Sequence, residues 1–511
     1  METKKSVGFG FRGWMLVIFQ FIAFVTFTVF TNYPLNILAP NNVGYPDNNT
    51  VSIVYTAGCI AAIVVQLIVS SNIGKVKSIK KLAIILGVIS LLLALGIMLI
   101  PGNQTVLWLV VYGLECLCVT MYATFSIGIL VGQWFPRRKG TVMGVATIAF
   151  PVANALIGFG FAEPFFGKFG MLMETKIGEL MEAKLPTLIP ELIAGGMAPE
   201  AAEGAAQGMV AGEAAAMFSQ QAAFSTFLPF FIVCVIGLII GAIFIKDYPE
   251  MVGAYRDNDK NLTPEIANKM MMAEIESKKT TCWKTGKTLA SRDFWLSVIP
   301  MGLLLMFAVG MMTQTNPIIA QFPELDYNTI MLVIAACGIF GSWILGVLDT
   351  ALGTKTAILI SSIVMIVSGV LGAIKSPVAL VISLCLLGIF MGASSNFTVS
   401  CAAQYWRRED FPSVFASVNS IANLMNAFGP MVIVALMGVA GGAAADVSGN
   451  AAAAGTVAAI NPIGTFIGIA VAGVIATICI ALFSPKHVKE TDDKYRKEAG
   501  KPLDDALVGR K

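Results

Sequence analysis

One acidic side chain lies deep inside an apolar stretch of this sequence. Of the 31 Asp and Glu residues, 30 fall in polar segments or at the ends of apolar runs, and Glu115 lies about ten residues inside one. A buried carboxylate is costly unless it is protonated, paired or facing a polar cavity, and no Lys or Arg lies at a comparable depth. Glu115 is therefore a candidate for taking up and releasing a proton. The structural alternative is a permanently protonated Glu that hydrogen-bonds to a neighbouring helix.

Neutral polar residues in the apolar runs are candidates for lining a solute cavity. Two tyrosines share a helical face with Glu115, and three asparagines form a stripe at i, i+4 and i+7. Interhelical hydrogen bonding, at about 0.6 kcal/mol per pair, is the structural alternative for each. The candidates are Tyr112, Tyr122, Asn396, Asn419, Asn423, Asn426, Asn32, Gln314 and Asn316.

The composition indicates that a membrane surrounds these residues. The 511 residues are 56% hydrophobic and only 13% charged, with a mean hydropathy of +0.78, whereas a soluble domain carries about 25% charged residues. So few charges cannot cover several soluble domains, which excludes a cytosolic enzyme, a secreted disulfide scaffold, a disordered protein and a nucleic-acid binder. The lipid bilayer is the expected partner of most of the chain.

Twelve apolar runs are long enough to cross a bilayer, since about 20 helical residues span roughly 30 Å of hydrocarbon. They are continuously apolar, and this excludes a closed barrel of alternating strands. The first run is too long for a signal-peptide core. The runs are 14–38, 51–71, 82–100, 105–131, 140–162, 223–245, 293–316, 328–348, 356–374, 376–402, 412–439 and 460–484.

The positions of Lys and Arg predict the orientation. With both termini cytoplasmic, 30 of the 34 cations lie on the inner side, as the positive-inside rule requires. The exceptions are Lys168, Lys176, Lys184 and Lys375. We therefore predict a multi-pass protein of the cell membrane, of bacterial inner-membrane type, with cytoplasmic termini.

The chain divides into two units that echo each other. Asx/Thr clusters at 47–50 and 326–329, Gln/aromatic/Arg runs at 133–138 and 404–408, and Asn-Ala pairs at 154 and 426 recur in the same order, about 270 to 283 residues apart. The pattern predicts an all-α polytopic protein of two parallel six-helix repeats. The predicted parts are a first bundle at 1–245 with an outer insert at 163–222, a cytoplasmic linker at 246–292, a second bundle at 293–484 and a tail at 485–511.

Loop motifs resemble those of the major facilitator superfamily. Gly346-x-Leu348-Asp349, followed by Gly353 and Lys355, is similar to its loop signature. Residues 134–140 and 405–408 resemble its oxalate/formate antiporter and monocarboxylate carrier branch. The resemblance implies a twelve-helix carrier with solute held near the midplane, although residues 71–77 lack the signature's Asp.

Charged loop residues are candidates for an inner gate. The alternative for the four arginines is that they only anchor the topology. The candidates are Asp349, Arg137, Arg138, Arg407 and Arg408.

These features predict a secondary active transporter of a small organic solute, functional as a monomer. A dianion would find no deep countercharge, so a monocarboxylate moving with a proton fits better. Exchange or export of a neutral or cationic solute is the alternative, and a channel is disfavoured by the repeat. No enzyme, metal or cofactor is expected, because the single histidine, His487, lies in the tail. The insert at 163–222 is expected to be a low-complexity loop, with amphipathic stretches at 172–184 and 199–218.

Overall fold

A computed structural model describes residues 8–34, 38, 45–46, 48–73, 76–156, 163–279, 281–319, 321–438, 462–501 and 503. Within these ranges the regular structure is entirely helical, which confirms the predicted all-α class. The first half contains α1 (Gly10–Tyr33), α2 (Asn48–Asn72), α3 (Ile79–Leu99), α4 (Thr105–Val119), a π-helix (Thr120–Ser126), α5 (Ile127–Trp134), α6 (Lys139–Thr147), α7 (Ala149–Leu156), α8 (Glu163–Ala194) and α9 (Pro199–Phe244).

The linker and the second half complete the chain. The linker holds short 3-10 turns at Pro249–Val252 and Arg256–Asn258, then α10 (Pro264–Lys278) and α11 (Thr285–Leu289). The second half contains α12 (Arg292–Thr313), α13 (Thr315–Ile319), α14 (Tyr327–Leu352), α15 (Thr354–Gly372), α16 (Pro377–Gly388), α17 (Phe390–Tyr405), α18 (Phe411–Ala427), α19 (Gly429–Gly438) and α20 (Pro462–Leu482), and α21 (Pro485–Glu498) forms the tail.

Each predicted apolar run coincides with helix in the described part of the chain. Nine helices there are long and apolar enough to cross a membrane, and α18 with α19 adds a tenth, bent by 40°. The fifth and tenth runs are interrupted, the fifth between α6 and α7 and the tenth between α16 and α17. The length test alone therefore finds fewer spans than hydropathy does.

The insert at 163–222 is a helical hairpin, and the amphipathic stretches at 172–184 and 199–218 lie within its helices α8 and α9, which are longer than the sequence indicated. Its Ala, Met, Glu and Leu residues are strong helix formers. Ala202, Ala206, Val210 and Ala214 are buried at four-residue intervals, where α9 packs against α8. α9 continues without interruption into the predicted sixth span, for 46 residues in all.

The two halves meet in two regions. α2 packs against α18 in one of them, and α6 packs against α14 and α17 in the other, where α7 also contacts α14. The N-terminus, linker and tail lie at one end of this seam, around residues 137–140, 349–355 and 404–411, which we term the inner end. Asp326 accepts a hydrogen bond from Thr329 N at 2.8 Å and so caps α14 as its Asx/Thr cluster predicts. The corresponding Asp47 lies outside the described residues.

Candidate functional site

Glycines bring the backbones of α6 and α14 together at the inner end. A Cβ on Gly144 would lie 2.8 Å from the Cα of Gly346, and one on Gly346 would lie 2.7 Å from the Cα of Gly144. Only glycine tolerates this approach without displacement. The Thr350 hydroxyl accepts a hydrogen bond from Thr141 N at 2.9 Å. The halves are therefore in direct contact at this end.

The second helix pair is joined by amide and hydroxyl groups. Gln66 Oε1 on α2 accepts hydrogen bonds from Asn419 Nδ2 at 3.3 Å and from Ser420 Oγ at 3.1 Å on α18. Gln66 is fully buried and its Nε2 makes no hydrogen bond within the described residues. Asn419 is thus a seam residue, in a part of the protein where a polar solute would find partners.

The rest of the asparagine stripe is less uniform. Asn423 Nδ2 donates to Asn419 O on its own helix at 2.8 Å. Asn426 Oδ1 is buried without a hydrogen-bond partner in the described chain. The structure therefore brings one member into contact with the other half and leaves another with an unused acceptor.

Asn396 lies at the inner end of the seam. Its Nδ2 donates to Gly140 O of α6 at 3.2 Å, and its Oδ1 accepts from Ser400 Oγ at 3.2 Å. Both amide atoms are occupied while the halves touch. This position was predicted to line a cavity, and it instead contributes to the contact between the halves.

Asp349 faces the other half. Its Oδ1 accepts from Thr354 Oγ1 at 2.6 Å, and its Oδ2 packs against Gly140 of α6. The positive charge of the buried Lys139, which belongs to the first half, interacts electrostatically with this carboxyl across the seam. Lys139 follows the arginine pair directly and was not singled out from the sequence, where only a basic run is visible.

Three of the four arginines point away from the seam. The backbone N–H groups of Arg137 and Arg138 donate to the Asp257 carboxylate of the linker at 2.9–3.1 Å. Arg137 Nη1 lies 3.5 Å from Asp259, and Arg138 Nη1 donates to Gly8 O at 3.0 Å. Arg407 Nε donates to Asp492 of α21 at 2.7 Å. These contacts join the loops that carry the arginines to the N-terminal segment, the linker and the tail.

Arg408 is the exception, since it lines a cavity at the inner end and its side chain has no hydrogen-bond or ion-pair partner within the described residues. The cavity has a volume of about 300 Å³ and is bounded by both halves and by the linker. Its charged lining residues are Arg137, Lys139, Arg256, Glu274, Asp349 and Arg408.

Glu115 lies inside the first half. Its side chain is fully buried, and Oε1 accepts a hydrogen bond from Ser90 Oγ of α3 at 2.7 Å. Oε2 makes no hydrogen bond within the described residues. The π-helix begins five residues later, and such segments are frequent at functional sites. Glu115 thus lies on α4 with its carboxyl directed at α3, and the π-helix follows in the same span.

The tyrosines predicted beside Glu115 are also packed within the first half. Tyr112 OH donates to Thr31 O of α1 at 2.8 Å, and its ring stacks on Trp108 with 5.4 Å between centroids. The Tyr122 ring centroid lies 6.0 Å from that of Phe19. Their hydroxyl and ring contacts bind helices of one bundle to each other.

The remaining candidates lie towards the opposite end. Gln314 is half-buried after the last turn of α12. The side chains of Asn32 and Asn316 lie outside the described residues. Gln20 was missed, although a Gln inside the first apolar run is a visible signal: it is fully buried, its Nε2 donates to Ala123 O at 2.9 Å, and its Oε1 has no partner in the described chain.

The described residues hold no cluster of three His, Cys, Asp or Glu side chains suited to a metal ion. Two helical bundles with a polar seam between them are the architecture of a membrane carrier, not of an enzyme. The family model of the Major Facilitator Superfamily matches residues 204–430 and 325–509, and the chain belongs to that superfamily. No curated protein matches the sequence.

Solved structures of transporters share the fold at low sequence identity. The superfamily's proton:xylose symporter XylE, bound to 6-bromo-6-deoxy-D-glucose, aligns with a TM-score of 0.61 at 11% identity over 92% of this chain and 96% of that one. FucP, in the outward conformation, gives 0.55 at 12% identity over 92% and 98%. The human organic anion transporter MFSD10 gives 0.52 at 11% identity over 91% and 98%. Such identities show the fold alone.

Proposed function

We propose that this protein is a proton-coupled carrier that moves a small monocarboxylate between its two halves by alternating access. A secondary transporter follows from the superfamily; the solute and the coupling ion are the proposal. The observation that carries it is the seam, which is closed by glycine contacts at the inner end and holds neutral polar groups such as Gln66 and Asn419 deeper in. Where the seam is formed by such neutral groups, the halves can separate and come together again without breaking an ion pair.

The charge pattern favours a monoanion that travels with a proton. No Lys or Arg lies deep inside one of the apolar runs, so a dianion crossing the seam would have no deep countercharge. Glu115 is the one deep carboxyl, and proton uptake there would keep the loaded carrier close to neutral. Two of the similar folds belong to a proton:xylose symporter and an organic anion transporter.

Glu115 is the residue to which we assign proton coupling. Its unused Oε2 and the adjoining π-helix give it a site for a proton and a segment that can rearrange. A packing role, with the carboxyl permanently protonated against Ser90, makes the opposite prediction. A Glu115→Gln carrier would then keep both its transport and its pH profile.

Uptake into proteoliposomes tests the proposal. We expect saturable uptake of a small monocarboxylate that increases with an inward proton gradient and shows counterflow. Glu115→Gln should abolish gradient-driven accumulation while retaining counterflow, and Glu191→Gln in the exposed outer hairpin serves as the matched control. Accumulation by Glu115→Gln with an unchanged pH profile contradicts proton coupling at this residue.

Exchange or export of a neutral or cationic solute is the second candidate, favoured by the absence of any deep cation in the sequence. Trans-acceleration by such a solute, without dependence on the proton gradient, distinguishes it. An ohmic current in place of saturable flux identifies a channel.

A further inference from the structure

We propose that the cavity at the inner end binds a small oxyanion of phosphate type, and that the bound anion holds this end of the carrier closed. The cavity of about 300 Å³ is lined by three parts of the chain, the two halves and the linker. Lys139 comes from the first half, Arg408 and Trp406 from the second, and Arg256 from the linker. A ligand among them would touch all three.

The charges around the cavity do not cancel. Four of its six charged lining residues are cations. Glu274 is already paired with Arg256 and, at 2.8 Å, with Lys278, and Asp349 is engaged by Thr354 and by the charge of Lys139. Both oxygens of Glu274 are therefore engaged by cations, whereas Asp349 has one hydrogen-bonded oxygen and a buried Oδ2 that makes no hydrogen bond within the described residues.

Arg408 is the cavity cation that lacks a direct ion-pair partner within the described residues, and the charges of Glu274 and Asp257 act on it only at longer range. Its guanidinium makes no hydrogen bond or ion pair within the described residues, although the side chain is only partly exposed. Burial and the nearby positive charge of Arg256 lower its pKa. An anion beside Arg408 would relieve both effects, because it supplies the missing countercharge and hydrogen-bond acceptors.

Two further donors on the cavity wall lack acceptors in the described chain. Arg256 is 4% exposed, and its Nη2 makes no hydrogen bond. Trp406 is 2% exposed, and its Nε1 makes none. Buried donors are normally satisfied. Two guanidinium groups and an indole N–H on one small cavity match an oxyanion, since guanidinium binds phosphate through paired N–H donors.

The location implies a conformational effect. The donors belong to elements that must separate when the inner end opens, so an anion bound to all of them favours the closed form. This part rests on the carrier function proposed above. The binding of the anion does not, and the two are measured separately.

Thermal unfolding of the full-length protein in detergent tests binding. We expect inorganic phosphate to raise the Tm saturably over chloride of equal ionic strength. Arg408→Gln should weaken the apparent affinity at least tenfold, and Trp406→Phe, which removes one donor and no charge, should weaken it several-fold. Arg292→Gln replaces an exposed arginine away from the cavity and should leave the affinity unchanged. An equal Tm rise in the wild type and Arg408→Gln overturns the site.

A lipid phosphate is the other source of the same chemistry. In phosphate-free nanodiscs, phosphatidylglycerol should stabilise the wild type no more than it stabilises Arg408→Gln. An Arg408-dependent gain from that lipid, to which inorganic phosphate adds nothing, overturns the assignment to a soluble ion.

Transport separates the gating effect from binding. Phosphate enclosed on the inner side of proteoliposomes should slow the initial uptake by the wild type and not that by Arg408→Gln. Equal rates with and without phosphate, in a protein whose Tm responds to phosphate, overturn the gating effect alone. Absence of any transport contradicts the proposed function and leaves the binding result standing.

Discussion

Two buried ionic clusters lie at the inner end, and they differ in charge balance. The linker cluster, beneath the first half, consists of Glu250, Arg256, Glu274 and Lys278, which are two acids and two bases in mutual contact. Tyr248 completes it, since its hydroxyl accepts from Lys278 Nζ at 2.8 Å. Each charge has an opposite neighbour, and the cluster is neutral.

The tail cluster, beneath the second half, has four acids and three bases: Glu409, Asp410, Asp492, Asp493, Arg407, Arg496 and Lys501. Arg407 pairs with Asp492 and Asp493, and Arg496 and Lys501 pair with Glu409, which leaves Asp410 without an ion-pair partner within the described residues. Its Oδ1 accepts from the backbone of Cys282 at 3.0 Å. Burial and the charge of Glu409 raise the pKa of Asp410 to about 6. The excess acid of the tail cluster therefore titrates between about pH 4 and 6, a range in which the paired Glu274 of the linker cluster stays ionised because its pKa is lowered.

Breaking the linker cluster should have the largest effect. Glu274→Ala leaves Arg256 and Lys278 buried beside a lost partner, and removal of one member of a buried pair costs about 3–5 kcal/mol. The free energy of unfolding, measured by denaturant in detergent, reports this loss. Glu276→Ala, with a side chain 75% exposed, should change it by less than about 0.5 kcal/mol. Equal losses for the two variants contradict the buried network.

Replacing Asp410, the unpaired acid of the tail cluster, should abolish a pH dependence of the free energy of unfolding. The folded protein holds the proton of Asp410 more tightly than the unfolded chain, because its pKa is raised from 3.8 to about 6. Stability therefore falls as the pH rises between these values, by up to about 3 kcal/mol at 1.36 kcal/mol per unit, and stays level above pH 6.

Asp410→Asn keeps an acceptor for the backbone of Cys282 and should lack this slope. Unfolding free energies at pH 4 to 7 measure it. An identical slope in the variant assigns the titration to another group.

The linker's hold on the first half should contribute less. The Asp257 carboxylate satisfies the N–H groups of Arg137 and Arg138 before α6, and Asp257 adopts the left-handed region at φ 54°. Asp257→Ala removes the cap and keeps the strained backbone, for a loss of about 1–2 kcal/mol. Asp257→Asn retains a side-chain oxygen that accepts from the two N–H groups, and it keeps the left-handed backbone. It should therefore lose about half as much free energy of unfolding. Protease sensitivity of the linker and the Tm measure the difference.

The smallest effect is expected at the surface of the tail. Lys287 and Glu498 form an ion pair at 3.1 Å, with side chains 43% and 48% exposed. An exposed pair contributes about 0–1 kcal/mol. A double-mutant cycle with Lys287→Ala and Glu498→Ala should give a coupling at the low end of this range, weakened by salt. A coupling above 2 kcal/mol would place this pair with the buried ones.

Hydropathy and charge placement predict the fold well because both act over whole spans. A run of twenty apolar residues is driven into lipid whatever its neighbours are. The helices of the insert, α8 and the first part of α9, could not be predicted in this way. The Ala- and Glu-rich insert has no hydropathy signal, and its helices form because small residues let them pack together.

The site is harder to predict, because side-chain direction depends on tertiary contacts. Arg137 and Arg408 occupy similar positions in the two repeats and both line the cavity, yet Arg137 also pairs with Asp259 of the linker while Arg408 has no such partner within the described residues. Asn396 and Asn419 both lie in apolar helices, and only the packing of the halves shows that they meet Gly140 and Gln66. Periodicity identifies a face of a helix but not its partner.

Because α9 runs from the outer hairpin into the first bundle as one helix, a small rotation of the bundle moves the tip of the hairpin over a larger distance. At 1.5 Å per residue a helix of 46 residues is about 69 Å long, and less than half of that length is needed to cross the hydrocarbon. A tilt of a few degrees in the first bundle therefore displaces the tip of the hairpin by several ångströms. In the carrier cycle proposed above, the hairpin would move with the first bundle, and a spectroscopic label near Gly196 would report that movement.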